Sequence, residues 1–296
     1  MSQARWQRGG GPSGGPDAGA EPSDGGGDAF VATEGGAGCD PNKPFGSPEL
    51  VPNVNLPAGR NVETGSLSPD GLVLYLSGDG PGNGNKDVFT ASRASLADEF
   101  GALASLGALA DGAKSELRAS ITADKTKLYV SSNITSTSLD ITFLTGVDGG
   151  SFGAPKNVAG INSSNAEIDP FILPYGKVLY FARNNGVAGS LLRTDLGAAA
   201  PTNVHASSAT ERSPVVTPDE RVMYYARVDG VALNYDIYVA TANPPGNFGD
   251  GTLVSELQTV TDEMPIGLTP DRCTLYFVSK RTVGSDVRVW RATRGR

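Results

Sequence analysis

The sequence has little of several features, and each shortage excludes a class of function. It carries 24 Lys and Arg against 32 Asp and Glu, so it lacks the clustered positive charge with which proteins bind a phosphate backbone. Its apolar runs, such as 72–76 and 178–181, fall far short of the roughly 18 residues that span a bilayer. We therefore expect neither a nucleic-acid partner nor a transmembrane segment.

The chain also has little of the chemistry used for nucleophilic catalysis. His205 is its single histidine, and no Ser or Cys elbow motif accompanies it. A lone histidine in a loop is usually solvated, which favours a residue without a catalytic role over a general base. The sequence accordingly predicts no catalytic residue of this kind, and it favours a protein that is not an enzyme without deciding the question.

Large apolar side chains are scarce in residues 1–38, which are rich in Gly, Pro, Asp and Ser. Such a segment buries too little surface to offset chain entropy, so we expect a disordered tail or linker at 1–38 and a folded domain at 39–296. The tail lacks the apolar core of a signal peptide, which favours the cytoplasm if this start is authentic. An acidic Gly/Pro tail before a β domain is also typical of bacterial lipoprotein spacers, which would place the domain in the periplasm or on the cell surface.

Five copies of one pattern fill the folded part. They read SPDGLVLYLS from Ser68, TADKTKLYVS from Thr122, LPYGKVLYFA from Leu173, TPDERVMYYA from Thr217 and TPDRCTLYFV from Thr269. Their turn positions, Asp70, Asp124, Tyr175, Asp219 and Asp271, are 54, 51, 44 and 52 residues apart. A period of this length is typical of propellers and solenoids.

The local chemistry of each copy is that of strands joined by tight turns. Pro presets φ for the turn and Asp bonds back to its own backbone, while the runs are rich in Val, Leu, Tyr and Phe. The Leu-Tyr runs are apolar at consecutive positions, so both faces of that strand must be covered. Small sheets stacked around an axis cover both faces, and the sequence therefore predicts an all-β propeller of four-stranded blades, five in number.

One stretch competes with this interpretation. Residues 94–110 place Leu96, Phe100, Leu103 and Leu106 at near-helical intervals. Gly101 and Gly107 disfavour a helix, and Phe100-Gly101 stands where the other copies also have Phe-Gly. We expect an outer strand with a loose loop.

The repeat resembles a known family. F-G-x-P, then E-x-x-P-x-x-[ST]-P-D-G, then L-Y-F-x-S, then D-I-Y-V-A looks like the PD40 repeat of WD40-like, TolB-type bacterial propellers, over residues 45–296. Tyr175-Gly176 departs from the Asp-Gly of that pattern. The resemblance implies a propeller and says little about activity; because such propellers usually have six blades, six is the alternative to five.

A propeller must also close its ring, since an open one would expose strand edges. By the repeat pattern, 45–54 supplies the outer strand of the last blade. The chain's two cysteines, Cys39 and Cys273, flank that junction, and a disulfide between them would tie the N-terminal segment to the last blade. Two unrelated thiols are the alternative. A disulfide would favour an oxidising compartment.

A glutamate recurs seven or eight residues before each turn. These residues are Glu63, Glu116, Glu167, Glu211 and Glu263. They are candidates for a ring of carboxylates at one axial mouth, which would hold a cation or a basic peptide. The alternative is a structural role, through blade amides or through nearby arginines such as Arg60, Arg118 and Arg212.

Metal binding has one weak candidate. The loop 79–87 offers oxygens at Asp79, Asn83, Asn85 and Asp87, which suit calcium, but a plain connection between strands has the same composition. We expect no cofactor, with calcium as the one candidate.

Two classes of function follow. The first is a non-enzymatic, monomeric binding scaffold that presents its loops to a protein, peptide or cell-envelope ligand. The second is a glycan-acting hydrolase or lyase, because five-bladed propeller hydrolases place two or three carboxylates at the axial mouth. Asp169, Asp262 and the recurring glutamates are its candidate residues, and a calcium-stabilised structural module is a third interpretation.

Overall fold

The structure is a computed structural model that describes residues 38–81, 84–109, 114–135, 137–146, 151–186, 188–198, 200–205, 207–228, 234–282 and 286–296. Five four-stranded antiparallel sheets form a five-bladed β-propeller, which confirms the predicted fold class and the choice of five blades over six. The predicted tail at 1–38 lies outside the described residues except for Gly38. No helix in the described ranges has the length and apolar content needed to cross a bilayer.

Each blade takes three or four consecutive strands, numbered from the axis outward. Blade 1 holds β2 (Val62–Leu67), β3 (Val73–Asp79), β4 (Lys86–Ser92) and β5 (Ala104–Ser105); blade 2 holds β6 (Glu116–Ile121), β7 (Lys127–Ser132), β8 (Asp140–Thr145) and β9 (Lys156–Asn157). Blade 3 holds β10 (Ala166–Ile172), β11 (Val178–Asn184), β12 (Gly189–Asp195) and β13 (Thr202–Asn203); blade 4 holds β14 (Thr210–Val216), β15 (Val222–Val228), β16 (Asp236–Thr241) and β17 (Thr252–Leu253). Blade 5 holds β18 (Glu263–Leu268), β19 (Thr274–Ser279), β20 (Arg288–Thr293) and, at its outer edge, β1 (Glu49–Leu50).

The repeated turn forms because one carboxylate satisfies it internally. Asp124 accepts hydrogen bonds from the Thr122 hydroxyl at 2.5 Å and from the Thr126 amide at 3.0 Å. The same pattern joins Asp219 to Thr217 at 2.5 Å and to the Arg221 amide at 3.2 Å. These bonds fix the connection between the first and second strands of a blade, as the Pro-Asp signature predicts.

The consecutive apolar residues of the second strands pack on both sides. In β11, Tyr180 and Phe181 are both fully buried, and they point to opposite faces because side chains alternate along a strand. Tyr180 packs with residues of blade 4, and Phe181 packs with residues of blade 2. The core is therefore a series of layers between blades rather than one central cluster.

The Phe-Gly motif locks neighbouring blades together. Phe100 of blade 1 meets Tyr276 of blade 5 edge-on at a centroid distance of 5.8 Å, and Phe248 of blade 4 meets Tyr180 of blade 3 at 6.3 Å. This use of Phe100 explains why 94–110 does not become an α-helix. Within the described part of that stretch the structure has the outer strand β5 and one 3-10 turn, Gly107–Leu109.

The ring closes where the sequence predicts. Strand β1 pairs antiparallel with β20, Leu50 lying opposite Trp290, and the Gly46 amide donates to the Thr293 carbonyl at 2.9 Å. A disulfide joins Cys39 to Cys273 across 234 residues of sequence. The start of the folded chain thus completes the last blade and is covalently attached to it.

Candidate functional site

Four of the five recurring glutamates are buried at the start of their innermost strands. Glu116, Glu167, Glu211 and Glu263 are each at most 1% exposed, whereas the Glu63 side chain is 38% exposed. Each of these glutamates stands near the end of its strand that lies opposite the turn. The side chains of the buried four lie inside the propeller and do not line an open mouth.

The partners of these glutamates come mainly from their own blade. Glu167 accepts from Arg183 Nε at 2.7 Å, and Glu263 accepts from the Thr259 hydroxyl at 2.5 Å and from the Ser279 hydroxyl at 2.7 Å. Burial raises the pKa of Glu263, and these hydroxyl bonds oppose that rise. Such contacts attach the start of a blade to the loop that precedes it.

The arginines expected beside the recurring glutamates bind other groups. Arg60 donates to the Asp79 carbonyl, and Arg118 and Arg212 turn to the propeller axis instead of to glutamates. His205 also departs from the expected solvated loop residue. Its side chain is 4% exposed and its Nε2 lies 2.9 Å from Glu211, so it serves as the buried partner of that carboxylate.

Glu63 is out of register with the other four. It precedes its turn aspartate by seven residues where the others precede theirs by eight, and the β2–β3 pairing sets Val62 opposite Gly78 where β6–β7 sets Glu116 opposite Ser132. Val62 therefore takes the place of the buried glutamate. Glu63 lies one position further along the strand. Its carboxylate binds the Lys86 ammonium group at 2.6 Å, and the same ammonium group also binds Asp79.

One residue of each innermost strand belongs to what we call the axial layer. It is the fourth residue before the one that opens each turn, and its members are Thr64, Arg118, Asp169, Ser213 and Pro265. All five are buried. Pairing with the second strand is irregular at this residue in blades 2, 3 and 4, and directly beside it in blades 1 and 5. Bulges of this kind re-aim side chains and are frequent beside functional sites.

Three successive blades hold the axial residue in the left-handed region of φ. The values are 35° at Arg118, 56° at Asp169 and 55° at Ser213. This conformation is uncommon for residues with a side chain, and it persists where surrounding contacts determine it. Here the contacts that determine it are polar ones across the axis.

Asp169 is the centre of those contacts. It is fully buried and accepts from Arg212 Nε at 2.8 Å, from Arg212 Nη2 at 3.3 Å, and from the Ser213 amide and hydroxyl, both at 3.2 Å. Burial favours the neutral acid, but the charge and hydrogen bonds of Arg212 outweigh it and lower the pKa of Asp169. The same pairing raises the pKa of Arg212 against its own burial.

Arg118 reaches across the axis to two other blades. Its guanidinium donates to the Pro214 carbonyl of blade 4 at 2.6 Å and reaches the Pro265 carbonyl of blade 5 at 3.4 Å. The residue is fully buried, and burial lowers its pKa to about 10, with Asp169 opposing and Arg212 adding to that shift. Arg118 therefore stays charged at neutral pH.

Above this layer, toward the strand starts, lies the axial mouth, defined here by Glu63, Lys86, Arg212 and Tyr235. The side chains of Lys86 and Arg212 are 24% and 17% exposed, and the Arg212 guanidinium lies 5.8 Å from the ring centroid of Tyr235. Asp262 accepts from the Tyr235 amide at 2.8 Å and so positions that ring. The mouth thus combines positively and negatively charged side chains with an aromatic ring.

The candidate calcium loop is only partly described. Asn83 lies outside the described residues, and the Asp79 carboxylate is engaged by Lys86 and by the Asn61 amide at 2.7 Å. Within the described ranges no group of three or more acidic, histidine or cysteine side chains gathers as a metal site would require. Calcium binding here stays a prediction, which chelation during thermal unfolding would test.

A second concavity, of about 270 Å³, lies off the axis between the closing segment and blade 4. Its polar lining is already used: Glu256 accepts from the Phe45 amide at 3.0 Å, and Arg294 stacks on Phe45 at 4.0 Å and bonds the Tyr224 hydroxyl. This concavity is a seam that holds the closing segment in place.

Sequence reasoning singled out Asp169 but missed the role of Arg118 and Arg212. The recurring glutamates drew attention because they repeat, whereas the axial layer carries a different residue in every blade. The signal that was available is this departure: within an otherwise regular strand, one position varies from Thr to Arg, Asp, Ser and Pro. In a repeat protein a position that breaks symmetry on the axis is a site candidate.

Solved structures with this fold exist at low sequence identity. A TolB-type protein from Agrobacterium tumefaciens is 11% identical with a TM-score of 0.51, over 85% of this chain and 90% of that one. The catalytic domain of a GH62 α-L-arabinofuranosidase from Coprinopsis cinerea is 10% identical with a TM-score of 0.55, over 86% and 98%. The α-L-arabinofuranosidase of Podospora anserina is 13% identical with a TM-score of 0.55, over 87% and 98%.

At these identities the likeness shows the fold alone. No protein-family model matches the chain, and no curated protein matches it in sequence. A TolB-type structure among the similar ones agrees with the resemblance at the level of the propeller. Membership of the PD40-repeat family stays a prediction.

Proposed function

We propose that this protein is a non-enzymatic propeller that binds a protein or peptide ligand, such as a cell-envelope component, at the axial mouth. The observation that carries the proposal is the state of Asp169. It is the one carboxylate of the axial layer, and it is fully buried and bonded to Arg212 and Ser213. A carboxylate held in this way makes the axial layer beneath the mouth rigid.

Hydrolysis by two carboxylates would need a different arrangement. One carboxyl group must keep its proton near neutral pH, the other must be ionised and face the substrate, and the two must lie about 5 to 9.5 Å apart. The pKa of Asp169 is lowered, which is the wrong direction for an acid, and Glu63 at the mouth is bonded to Lys86. This geometry favours binding over bond cleavage.

The mouth has the residue types that dominate binding energy. Arg and Tyr are enriched among residues whose truncation weakens protein interfaces, and here Arg212 and Tyr235 stand together on a rigid support. The Arg212 side chain is fixed from below by Asp169, so binding would cost little side-chain entropy. A ligand with an acidic group and an apolar surface suits this pair.

The test compares two tyrosines at opposite ends of the axis. Immobilised wild-type protein is incubated with a cell-envelope extract, beside Tyr235→Ala at the mouth and Tyr175→Ala in a turn at the other end, where the side chain is 49% exposed. We expect capture of one ligand by wild type and by Tyr175→Ala, with affinity reduced about tenfold or more in Tyr235→Ala. Equal capture by all three proteins, or capture by none, contradicts the proposal.

A glycan-acting hydrolase is the second candidate. In its favour, Glu63 and Asp169 are carboxylates on the innermost strands of blades 1 and 3, and two structures of similar fold are α-L-arabinofuranosidases. A glycan panel that includes α-L-arabinofuranosides would test it, with Glu63→Gln and Asp169→Asn as controls. Turnover that both variants abolish would establish this function, and an inactive wild type would remove it.

We also propose an extracytoplasmic location, in the periplasm or on the cell surface, with residues 1–38 as a linker. The Cys39–Cys273 disulfide supports this, because such bonds persist in oxidising compartments. Alkylation of free thiols in intact cells, followed by mass analysis, measures the oxidised fraction. A fully reduced pair in the native host would contradict the proposal.

A further inference from the structure

Two polar atoms of the axial layer have no protein partner among the described residues. They are the Thr64 hydroxyl oxygen and Arg118 Nε, and both residues are fully buried. Buried polar groups are almost always hydrogen-bonded, because leaving one unpaired costs about 1–3 kcal/mol. Two such atoms on the innermost strands of adjacent blades favour one shared partner.

The residues that carry these atoms lie on neighbouring strands. The Ser66 hydroxyl of β2 donates to the Ala119 carbonyl of β6, so the innermost strands of blades 1 and 2 lie against each other at this level. Thr64 and Arg118 follow at the next positions toward the mouth. Ser77 lies directly opposite Thr64 in the β2–β3 pairing, and its buried hydroxyl also has no partner in the described part of the chain.

All three groups can donate a hydrogen bond. The two hydroxyls supply O–H donors, and Arg118 Nε supplies an N–H that cannot accept. Asp169 does not supply the acceptor, since its oxygens bond Arg212 and Ser213. A cation is disfavoured here because the guanidinium already carries positive charge.

The charge balance points the same way. The charges that act on Arg118 are Asp169, which opposes it, and Arg212, which adds to it, so this level of the axis carries one excess positive charge. Glu63 does not cancel it, because that side chain is partly exposed, screened by solvent and bonded to Lys86. A buried charge without a counter-charge is strongly unfavourable. A neutral water molecule would satisfy the donors but would leave this charge in place.

We propose that the propeller axis holds a small monovalent anion, a halide or a carboxylate group, bound by Thr64, Ser77 and Arg118. The anion would neutralise the axial layer and accept the three unused hydrogen bonds. The site is independent of ligand capture at the mouth, since it is formed by buried residues and not by Tyr235.

The test measures the melting temperature of the full chain against anion concentration at constant ionic strength, with gluconate as the bulky reference anion. Bromide and formate are titrated separately. For wild type we expect a saturable rise with at least one of them. Thr64→Val keeps the shape of the side chain and removes one donor, so we expect the midpoint concentration to increase about tenfold. Arg118→Gln should lose the saturable response.

The matched control is Arg272→Gln, which removes one positive charge from an exposed pair with Asp219 outside the axis. It should retain the wild-type response, whereas a general effect of charge would change the response of Arg272→Gln as much as that of Arg118→Gln. If Arg118→Gln does not fold, Thr64→Val still decides the question. Bromide-specific anomalous scattering between Thr64 and Arg118 in crystals grown with bromide gives a direct readout.

Each outcome has one meaning. A response to bromide alone assigns an inorganic ion, and a response to formate assigns the carboxylate group of a ligand; both support the anion site. Wild-type stability without a saturable dependence, or an unchanged midpoint in Thr64→Val, overturns it. Failure of Tyr235→Ala to affect capture would contradict the proposed function and leave the anion site intact.

Discussion

The five turns and the axial layer differ in how closely they follow the repeat. Four of the turns use an aspartate that bonds the backbone two residues on, as at Asp70, Asp124, Asp219 and Asp271. The axial layer, only a few residues away on the same strands, has five different side chains. Repetition thus encodes the scaffold, and its loss on the axis marks the place where the protein differs from a bare scaffold.

The largest effect should come from breaking the axial pair. Asp169→Asn removes the carboxylate that compensates Arg212, and we expect the free energy of unfolding to fall by about 3–5 kcal/mol, as when one partner of a buried pair is lost. Urea unfolding at pH 7 measures this. A loss below about 1 kcal/mol would mean that the pair does not hold the axis.

The same pair sets part of the acid sensitivity. The pKa of Asp169 is lower in the folded than in the unfolded protein, so its stabilising contribution is present above the unfolded pKa and is lost as pH falls through the folded pKa. We expect Asp169→Asn to flatten the acid side of the curve of unfolding free energy against pH. An unchanged curve would contradict the assignment.

The closing disulfide should have the next largest effect. Replacing Cys39 and Cys273 together by Ser frees a loop of more than 200 residues, and we expect a loss of about 3 kcal/mol, less than the chain-entropy value because strain and residual structure reduce it. The melting temperature of wild type in reducing agent should match that of the double variant, and a mismatch would indicate an effect of the serines.

A single turn should contribute much less. Asp124→Ala removes the hydrogen bonds to Thr122 and Thr126, and we expect a loss of about 1 kcal/mol, with a similar value for Asp219→Ala because the turns are equivalent. Thermal unfolding of the two variants in parallel checks this. Very different values would show that the turns are not interchangeable.

The smallest effect should come from a pair on the surface. Lys125 lies 3.3 Å from Asp70, but the lysine side chain is 61% exposed. We expect Lys125→Ala to change the unfolding free energy by less than about 0.5 kcal/mol, since solvent and salt screen such pairs. A loss comparable to that of Asp169→Asn would break the contrast between turn and axis.

How far the sequence predicts this protein follows from the same contrast. The strands, the five blades, the closing segment and the disulfide could be predicted, because each depends on local patterns that recur or on cysteines at a junction. The bulges could not, and they decide which side chains reach the axis. Glu63 shows this limit. It stands one residue closer to its turn than its counterparts do, so it does not occupy the buried glutamate position.

Arg118 and Arg212 illustrate the other limit. From sequence both are ordinary arginines near a glutamate, and pairing between neighbours is the simplest expectation. Their actual partners come from other blades, Pro214 and Pro265 for Arg118 and Asp169 for Arg212. Contacts between residues 43 to 147 positions apart in the chain depend on how the blades are arranged around the ring, which no local pattern specifies.

The closing strand has a consequence for synthesis of the chain. Glu49–Leu50 is synthesised before any blade exists, yet its pairing partner, Arg288–Thr293, is synthesised after blades 1 to 4. Blades 1 to 4 can fold in order as they emerge, since their strands are consecutive. The first strand, by contrast, stays unpaired until β20 has been synthesised, so the ring is completed only after the other four blades.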